Sequence, residues 1–322
     1  MHEQKDDISI SDFKSRTSIK VFAPATIANL VCGFDILGLA LNDPKDVMEV
    51  TVSNNPGVRI KHLDNFNLPC VPEENVAGVS LLSLMQDLNE NIGFDVTIEK
   101  KIKPGSGLGS SAASAAGIVV AANHLLRNRF SKDDLVRFAM NGEKLASGVK
   151  HADNISPCIY GGVTLIRSIF PLDVVELPVP PMYVAVIHPQ IEVKTSDARE
   201  ILRKEVLLKH AIKQWGNVAG LVAGLIKNDY GLISRSLEDV IIEPVRSMLI
   251  PGFDNVKKRS IEAGALGGGI SGSGPSIFML CKEEHIANEV EKIMKDIYNK
   301  TGLNYHTYVT TVNDKGITVA ED

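Results

Sequence analysis

The stretch Pro-Gly-Ser-Gly-Leu-Gly-Ser-Ser-Ala-Ala-Ser at residues 104–114 decides the fold of this chain. An alternating apolar segment at 94–102 predicts a strand before it, and the apolar segment at 112–126 predicts a helix after it. Three glycines in the connecting loop permit tight turns and leave backbone N–H groups uncovered by Cβ atoms. The helix start adds unpaired N–H groups and the positive end of a dipole. The loop is therefore predicted to bind an anion, most simply the polyphosphate of a nucleotide.

Two standard phosphate-binding motifs do not fit this loop. A Walker-type loop has a lysine after its last glycine, and none follows Gly109. The dinucleotide fingerprint has a third glycine at the position that Ser110 occupies. The hydroxyls of Ser110 and Ser111 either cap the helix or reach a phosphate or Mg²⁺. We favour the second role because the whole Gly-Leu-Gly-Ser-Ser sequence is present.

The loop at 104–114 resembles the signature loop of the GHMP kinases, the small-molecule kinases named for galactose, homoserine, mevalonate and phosphomevalonate. Two further segments support the resemblance. Residues 24–35, Pro-Ala-Thr-Ile-Ala-Asn-Leu-Val-Cys-Gly-Phe-Asp, are similar to the first family motif, and residues 267–275, Gly-Gly-Gly-Ile-Ser-Gly-Ser-Gly-Pro, are similar to the third. His-Ala-Asp-Asn at 151–154 is similar to a segment typical of the homoserine branch. The matches come in the expected order and extend over most of the chain.

The resemblance implies an α+β, two-domain GHMP kinase fold. In this fold an N-terminal ribosomal-protein-like α/β domain precedes a C-terminal ferredoxin-like domain. A chain of 322 residues exceeds most single cores, which also favours two domains. We expect a disordered polar tail at 1–17, the nucleotide-binding domain at 18–170 and the ferredoxin-like domain at 171–322. Four prolines at 171–181 mark the expected crossing between the domains.

Apolar periodicity and turn residues predict the remaining elements. Strands are expected at 18–23, 47–53, 58–60, 162–169, 183–188, 276–281, 305–312 and 316–319. Helices are expected at 75–91, 132–147, 196–227, 230–238, 253–263 and 284–300. The last helix and its neighbouring strands form a β-α-β-β run, which suits a ferredoxin-like half.

Composition and charge favour a soluble enzyme. Hydrophobic residues make up 44% of the chain and charged residues 23%, which is usual for a globular enzyme. The net charge of −5 argues against nucleic acid or an anionic membrane as a partner. The sequence shows neither the apolar core of a signal peptide nor a stretch of membrane-span length. Four scattered cysteines without C-x-x-C spacing predict reduced thiols and a cytoplasmic location. A homodimer is the expected assembly, if the chain assembles at all.

The family resemblance implies ATP and Mg²⁺ and assigns residues to both. The expected nucleotide-binding residues are Asn75, Pro104, Gly105, Ser106, Gly107, Leu108, Gly109, Ser110, Ser111, Ala112, Ala113 and Ser114. Mg²⁺ prefers oxygen ligands and keeps several waters, so one hydroxyl and one carboxylate suffice. We expect these from Ser111 and Glu143, although Glu143 taken alone fits a solvated helix residue better. Asn75 has two compatible roles, as a helix N-cap and as part of an adenine pocket.

The homoserine branch implies an acceptor with an ammonium group, a carboxylate and a free hydroxyl. Carboxylate or amide oxygens suit the ammonium group, whereas a bidentate arginine best holds the carboxylate. Asn29 and Asp35 of the first motif suit the ammonium group. Arg199 and Arg246 match the substrate-binding arginines of the family. The expected substrate-binding residues are Asn29, Asp35, His151, Asn154, Thr195, Arg199 and Arg246.

Asp153 is the candidate catalytic base. Related sugar and mevalonate kinases use an aspartate near this position to accept the hydroxyl proton, whereas the homoserine branch has asparagine there. Whether the enzyme has a dedicated base is therefore left open. The implied reaction is ATP-dependent phosphorylation of L-homoserine to O-phospho-L-homoserine, a step towards threonine. The alternatives are a GHMP kinase acting on mevalonate or a sugar, a decarboxylating relative, and a nucleotide-binding relative without turnover.

Overall fold

The computed structural model describes residues 18–88, 92–193 and 195–320, and the tail predicted at 1–17 lies outside the described residues. Within the described part, the first sheet has seven strands. These are β1 (Ser18–Ala28), β2 (Leu37–Ser53), β3 (Gly57–His62), β4 (Gly93–Glu99), β5 (Val163–Ile169), β6 (Leu172–Leu177) and β11 (Thr318–Val319). The order is β11-β1-β2-β4-β3, while β5 pairs with the first part of β2 and β6 pairs with β5.

Helices from the N-terminal half pack with this sheet. They are α1 (Val76–Leu88), α2 (Ser110–Leu125), α3 (Lys132–Ser147) and α4 (Ile155–Tyr160), and a one-turn 3₁₀ helix, Pro72–Glu74, precedes α1. The α2 helix lies in the core because alanine, glycine and branched apolar residues cover nearly its whole circumference. Ser111 and His124 are its two residues that are not buried. Ser111 is thereby left facing a cavity at the helix start.

The second sheet is antiparallel and has the order β10-β7-β9-β8. Its strands are β7 (Tyr183–Pro189), β8 (Gly267–Ile270), β9 (Ile277–Cys281) and β10 (Tyr305–Thr311). The helices of this half are α5 (Thr195–Glu200), α6 (Leu208–Lys227), α7 (Tyr230–Ser236), α8 (Glu243–Arg246), α9 (Phe253–Glu262) and α10 (Glu284–Asn299), with a one-turn 3₁₀ helix, Ser247–Leu249, after α8. No helix in the described parts of the chain combines the length and apolar character needed to cross a membrane.

Side chains on the two faces of β7 belong to two different hydrophobic cores. Val184 and Val186 belong to the large core that contains β1, β2 and α2, because alternate side chains of a strand point to the same face. Ala185 and Ile187 point to the opposite face and join a second core with α9 and α10. The second sheet is therefore covered on both faces, and one of those faces is fixed against the N-terminal core.

The predicted two-domain α+β fold is confirmed. However, two strands that follow the expected boundary between residues 170 and 171, β6 and β11, belong to the first sheet. The segment at 171–181 was expected to cross between domains, yet β6 lies within it and extends the first sheet. The prolines flank residues 172–177 rather than interrupt them, so this stretch is free to pair. The strand predicted at 316–319 pairs with β1 instead of ending the second sheet.

Two other elements differ from the sequence expectation. The helix predicted at 196–227 is divided into α5 and α6. Tertiary contacts explain the division, because Arg199 of α5 pairs with Asp35 and the carbonyl of the buried Ala198 accepts a hydrogen bond from Arg246. The three glycines at 267–269, for which no element was predicted, form the strand β8 together with Ile270.

Candidate active site

A cavity of about 400 Å³ lies where several loops and helix ends of the two halves meet. The loop between β1 and β2, the phosphate loop and the segment before α4 form part of its wall. The segment before α1, the helices α3, α5 and α8 and the loop after β8 form other parts of it. The residues predicted to bind nucleotide, metal and acceptor are thus brought largely into one cavity.

The loop at 104–109, here called the phosphate loop, is held from two sides by hydrogen bonds to its main-chain carbonyl groups. On one side, the Thr26 N–H of β1 donates to the Leu108 carbonyl at 3.1 Å. On the other side, the Ser271 hydroxyl donates to the Gly107 carbonyl at 2.7 Å, and the Ser276 N–H donates to the Ser106 carbonyl at 3.2 Å. The loop therefore holds its shape through its carbonyl groups, which leaves N–H groups of the first turn of α2 for an anion.

Most of the predicted phosphate-loop residues line the cavity. The lining residues are Pro104, Gly105, Ser106, Gly107, Gly109, Ser110, Ser111 and Ser114. Leu108, Ala112 and Ala113 are buried in the hydrophobic core instead and are not among the lining residues. The Ser110 hydroxyl donates to the Ile102 carbonyl at 2.8 Å, so this side chain is occupied in fixing the loop.

A buried ion pair that sequence reasoning missed supports the start of α2. The Lys100 ammonium pairs with Asp46 and also donates to the Ser110 carbonyl at 2.6 Å and to the Ser114 hydroxyl at 2.8 Å. Both charged side chains are nearly inaccessible, at 1% and 0% exposure. The sequence did indicate that Lys100 is buried, because Lys100 continues the alternation of the core-facing residues Phe94 and Val96 of the preceding strand.

Ser111 and Glu143 meet at the cavity wall, as the predicted metal pair requires. Both residues line the cavity, with Ser111 at the start of α2 and Glu143 on α3. Burial raises the pKa of Glu143 to about 7, and the neighbouring Ser111 hydroxyl opposes this shift. A hydroxyl and a buried carboxylate beside a phosphate-binding helix start fit a hard divalent cation, because Mg²⁺ takes oxygen ligands.

Asn75 serves as the N-cap of α1 and also lines the cavity. Its Oδ1 accepts hydrogen bonds from the N–H groups of Ala77 at 2.9 Å and Gly78 at 3.3 Å. Its Nδ2 donates to the Pro69 carbonyl at 2.6 Å and lies 3.1 Å from Nε2 of His62. The amide of Asn75 is thus engaged on both sides in shaping this end of the cavity.

Asp35, Arg199 and His151 form a cluster at the other end of the cavity. One terminal nitrogen of Arg199 lies 2.7 and 2.9 Å from the two Asp35 oxygens. The same nitrogen lies 3.3 Å from Nδ1 of His151. Because a guanidinium only donates, Nδ1 is the acceptor and the neutral ring carries its proton on Nε2. Burial, together with Arg199 and Arg246, lowers the pKa of His151 and favours this neutral form.

Arg246 is a buried cation beside this cluster. It is 3% exposed, and its guanidinium donates to the carbonyls of Ala198 at 2.9 Å and Gly272 at 3.1 Å. Burial and the neighbouring Arg199 lower the pKa of Arg246 to about 10, so it stays charged at neutral pH. Within the part of the chain that the structure describes, no carboxylate lies in ion-pair contact with Arg246. A buried cation held by carbonyls at a cavity wall is suited to an anionic ligand.

Asn29 organises the loop of the first motif. Its Nδ2 donates to the Gly272 carbonyl at 2.9 Å, and its Oδ1 accepts from the Asp35 N–H at 3.1 Å. Asn29, Val31 and Asp35 have φ values of 74°, 65° and 61°, in a region that non-glycine residues rarely adopt. Such backbone strain is typical of functional loops that the surrounding structure holds in place.

Asp153 and Asn154 precede α4 and also line the cavity. Burial, followed by the charges of Asp35 and Glu143, raises the pKa of Asp153 to about 7. The Thr26 hydroxyl donates to Oδ1 of Asn154 at 2.8 Å, so the donor side of this amide is directed away from Thr26.

Thr195 is the first residue of α5, and its side chain lies outside the described part of the structure. The other predicted substrate residues, Asn29, Asp35, His151, Asn154, Arg199 and Arg246, all line the cavity. Sequence reasoning missed Phe34, which lines the same cavity beside Asp35.

The fold and this site define a class, the two-domain small-molecule kinases with a glycine-rich phosphate loop. The family models described as the GHMP kinases N terminal domain and GHMP kinases C terminal match residues 75–162 and 221–300. The chain belongs to the GHMP kinase family, and the resemblance stated from the motifs is confirmed.

Relatives of known name share most of the chain. A homoserine kinase of Chloroherpeton thalassium is 46% identical over 294 residues, which are 87% of this chain and 92% of that protein. A homoserine kinase of Chlorobium phaeobacteroides is 40% identical over 317 residues, 94% of this chain and 99% of the relative. The crystal structure of homoserine kinase from Cytophaga hutchinsonii is similar with a TM-score of 0.91 and 50% identity, covering 95% of this chain and 98% of that one.

Proposed function

We propose that this protein is an ATP-dependent kinase that phosphorylates the side-chain hydroxyl of L-homoserine to O-phospho-L-homoserine, a step of threonine biosynthesis. One observation carries the proposal: a single cavity joins the phosphate loop to a cluster of Asp35 with two arginines. The relatives named homoserine kinase support the same assignment.

At the donor end, the phosphate loop and the start of α2 would bind the ATP phosphates. N–H groups and a helix dipole favour the anionic chain without a basic surface, in agreement with the net charge of −5. Leu68, Pro69 and Val76 offer apolar surface to the adenine at the far end of the cavity. Bound with ATP, Mg²⁺ would offset the charge of the transferred phosphoryl group, and Ser111 with Glu143 would hold it.

At the acceptor end, Asp35 would receive the ammonium group while Arg199 and Arg246 would hold the carboxylate. In the structure Asp35 and Arg199 pair with each other. A zwitterion supplies both charges that can replace this contact, so neither residue is left without a partner when the amino acid binds. An uncharged polyol would leave the buried Arg246 without an anionic partner, and neither a polyol nor a simple hydroxy acid supplies both charges needed to replace the Asp35–Arg199 contact.

Near the hydroxyl, Asn154 would donate a hydrogen bond from the side of its amide that faces away from Thr26. Asp153 stays the candidate base, and its pKa of about 7 suits a group that accepts a proton near neutral pH. In a loose transition state the proton leaves late, so Asp153 would act late in the transfer.

The test is an acceptor panel with purified protein, Mg²⁺ and ATP. We expect ADP release with L-homoserine and a phosphomonoester product in ³¹P NMR. The matched controls are 3-aminopropan-1-ol, which lacks the carboxylate, and 4-hydroxybutanoate, which lacks the ammonium group, together with mevalonate and galactose. Efficient use of mevalonate or galactose, or ADP release that no acceptor stimulates, would overturn the proposal.

Two further properties belong to the same proposal. We expect the enzyme in the cytoplasm, because its scattered cysteines suit a reducing compartment. We also expect a homodimer, for which sedimentation equilibrium at several protein concentrations is the direct measurement.

A further inference from the structure

Two guanidinium groups lie over the ring of Phe34. The central carbon of Arg246 is 4.9 Å from the ring centroid, and that of Arg199 is 5.6 Å from it. Both distances fall within the range in which a cation is attracted by the negative face of an aromatic ring. Phe34 lies in the β1–β2 loop next to Asp35, so the ring is held by the same strained backbone that carries this carboxylate.

This arrangement brings two like charges together in a partly buried place. Arg199 is one of the groups that lower the pKa of Arg246, which shows that the two cations repel each other. Other contacts hold each arginine separately: Asp35 receives Arg199, and two main-chain carbonyls receive Arg246. Phe34 touches both arginines, and its ring face attracts each cation.

We propose that Phe34 is the positioning residue that holds Arg199 and Arg246 in a common orientation for the carboxylate of an amino-acid acceptor. The inference rests on the proposed function and deepens it, because it names what prepares the carboxylate site before substrate arrives. When the acceptor ammonium takes Asp35, Arg199 loses its carboxylate partner, and the ring then keeps that guanidinium beside Arg246.

Two arginines that are already held in place bind a carboxylate more tightly than two mobile arginines do, because immobilising each long side chain on binding costs free energy. Phe34→Leu keeps an apolar side chain but removes the ring face. We expect KM for L-homoserine to rise about tenfold, while kcat and KM for ATP stay near wild type. Such a split means that the ring contributes equally in the ground and transition states.

The experiment compares wild type with Phe34→Leu, Phe34→Tyr and the control Phe170→Leu. Phe170 is 74% exposed, also has a cation over its ring, from Lys150 at 5.9 Å, and is not among the cavity-lining residues. The Phe34→Tyr ring should restore a near-normal KM, and Phe170→Leu should be without effect. Inhibition constants against homoserine turnover are measured for 4-hydroxybutanoate and 3-aminopropan-1-ol.

We expect Phe34→Leu to raise the inhibition constant of 4-hydroxybutanoate, which carries the carboxylate, about tenfold. The inhibition constant of 3-aminopropan-1-ol should stay unchanged. Equal weakening of both ligands and of ATP would show a general structural role and overturn the inference. So would an unchanged homoserine KM, or a Tyr variant as impaired as the Leu variant. If wild type does not phosphorylate homoserine at all, the proposed function fails, and that result is visible before any variant is made.

Discussion

A methyl group at Gly107 should damage nucleotide binding more than one at Gly105. Both residues have left-handed backbone, with φ of 80° and 73°, so alanine is strained at either position. Their surroundings differ, however. A Cβ at Gly107 would lie 2.6 Å from the Ser271 carbonyl oxygen and 2.7 Å from that of Gly274, whereas at Gly105 it would meet no atom within 4 Å. Gly105→Ala is therefore the matched control for Gly107→Ala.

The structure gives the size of the effect. Left-handed backbone costs about 1–2 kcal/mol for alanine in both variants. At Gly107 the two loops must also separate by roughly 0.8 Å to reach ordinary contact, and overpacking of this kind adds about 1–3 kcal/mol. If the phosphate loop is the part that yields, a charge-assisted contact worth about 1.5–3 kcal/mol is lost, which raises the Kd for ATP about 10- to 100-fold.

The measurement is ATP affinity by calorimetry in parallel with thermal unfolding of both variants. We expect Gly107→Ala to lose ATP affinity while it still unfolds cooperatively, and Gly105→Ala to bind ATP within a few-fold of wild type. Equal ATP affinities for the two folded variants would refute the view that close packing of loops 104–109 and 271–274 shapes the nucleotide site.

Four other changes test the remaining parts of the site. Glu143→Gln removes the charge expected to hold Mg²⁺ and should lower kcat/KM about 100-fold; near-normal rates at limiting Mg²⁺ would contradict that role. Because burial raises the pKa of Glu143 to about 7, the carboxylate gains its charge between pH 6 and 8. Apparent Mg²⁺ affinity should therefore rise over this range in wild type and much less in Glu143→Gln. Arg246→Lys keeps the charge but loses the planar fork, so KM for homoserine should rise about 10- to 100-fold at unchanged KM for ATP. Lys100→Met leaves Asp46 buried without its cation and should lower the free energy of unfolding by about 3–5 kcal/mol, whereas adding Asp46→Asn should restore part of it in urea titrations.

Local pattern predicted the elements that form through their own periodicity. The helix at 132–147 matches the sequence expectation, because apolar spacing and a capping box at Ser131 and Asp134 both define it. The strand β6 was missed because the prolines at 171–181 suggested a linker, whereas they only flank a strand that forms a hairpin with β5. The helix division after α5 was missed because a partner distant in sequence determines it: α5 ends where Arg199 is drawn to Asp35.

The candidate site, like the fold, was predicted only in part. Motif resemblance identified the residues that line the cavity, but not which of their polar atoms are occupied in holding the loops. Ser110 and Asn29 were expected to bind ligands, yet their side chains bond to the Ile102 and Gly272 carbonyls. Such pairings depend on distances between segments that only the folded chain sets.

Glycine in the family motifs serves two physical purposes at once. It leaves N–H groups uncovered for phosphate, and it lets three loops that are far apart in sequence come into hydrogen-bonding contact. The Gly272 N–H lies 3.4 Å from the Ala28 carbonyl, and the carbonyl of Gly272 accepts from both Asn29 and Arg246. Ser271, next to it, holds the phosphate loop through the Gly107 carbonyl. The two ends of the cavity thus share one backbone junction, and holding two bound reactants at a fixed distance is, with electrostatic stabilisation, a main contribution of the protein to phosphoryl transfer. A displacement at Gly107 is therefore expected to reach the homoserine site as well as the nucleotide site.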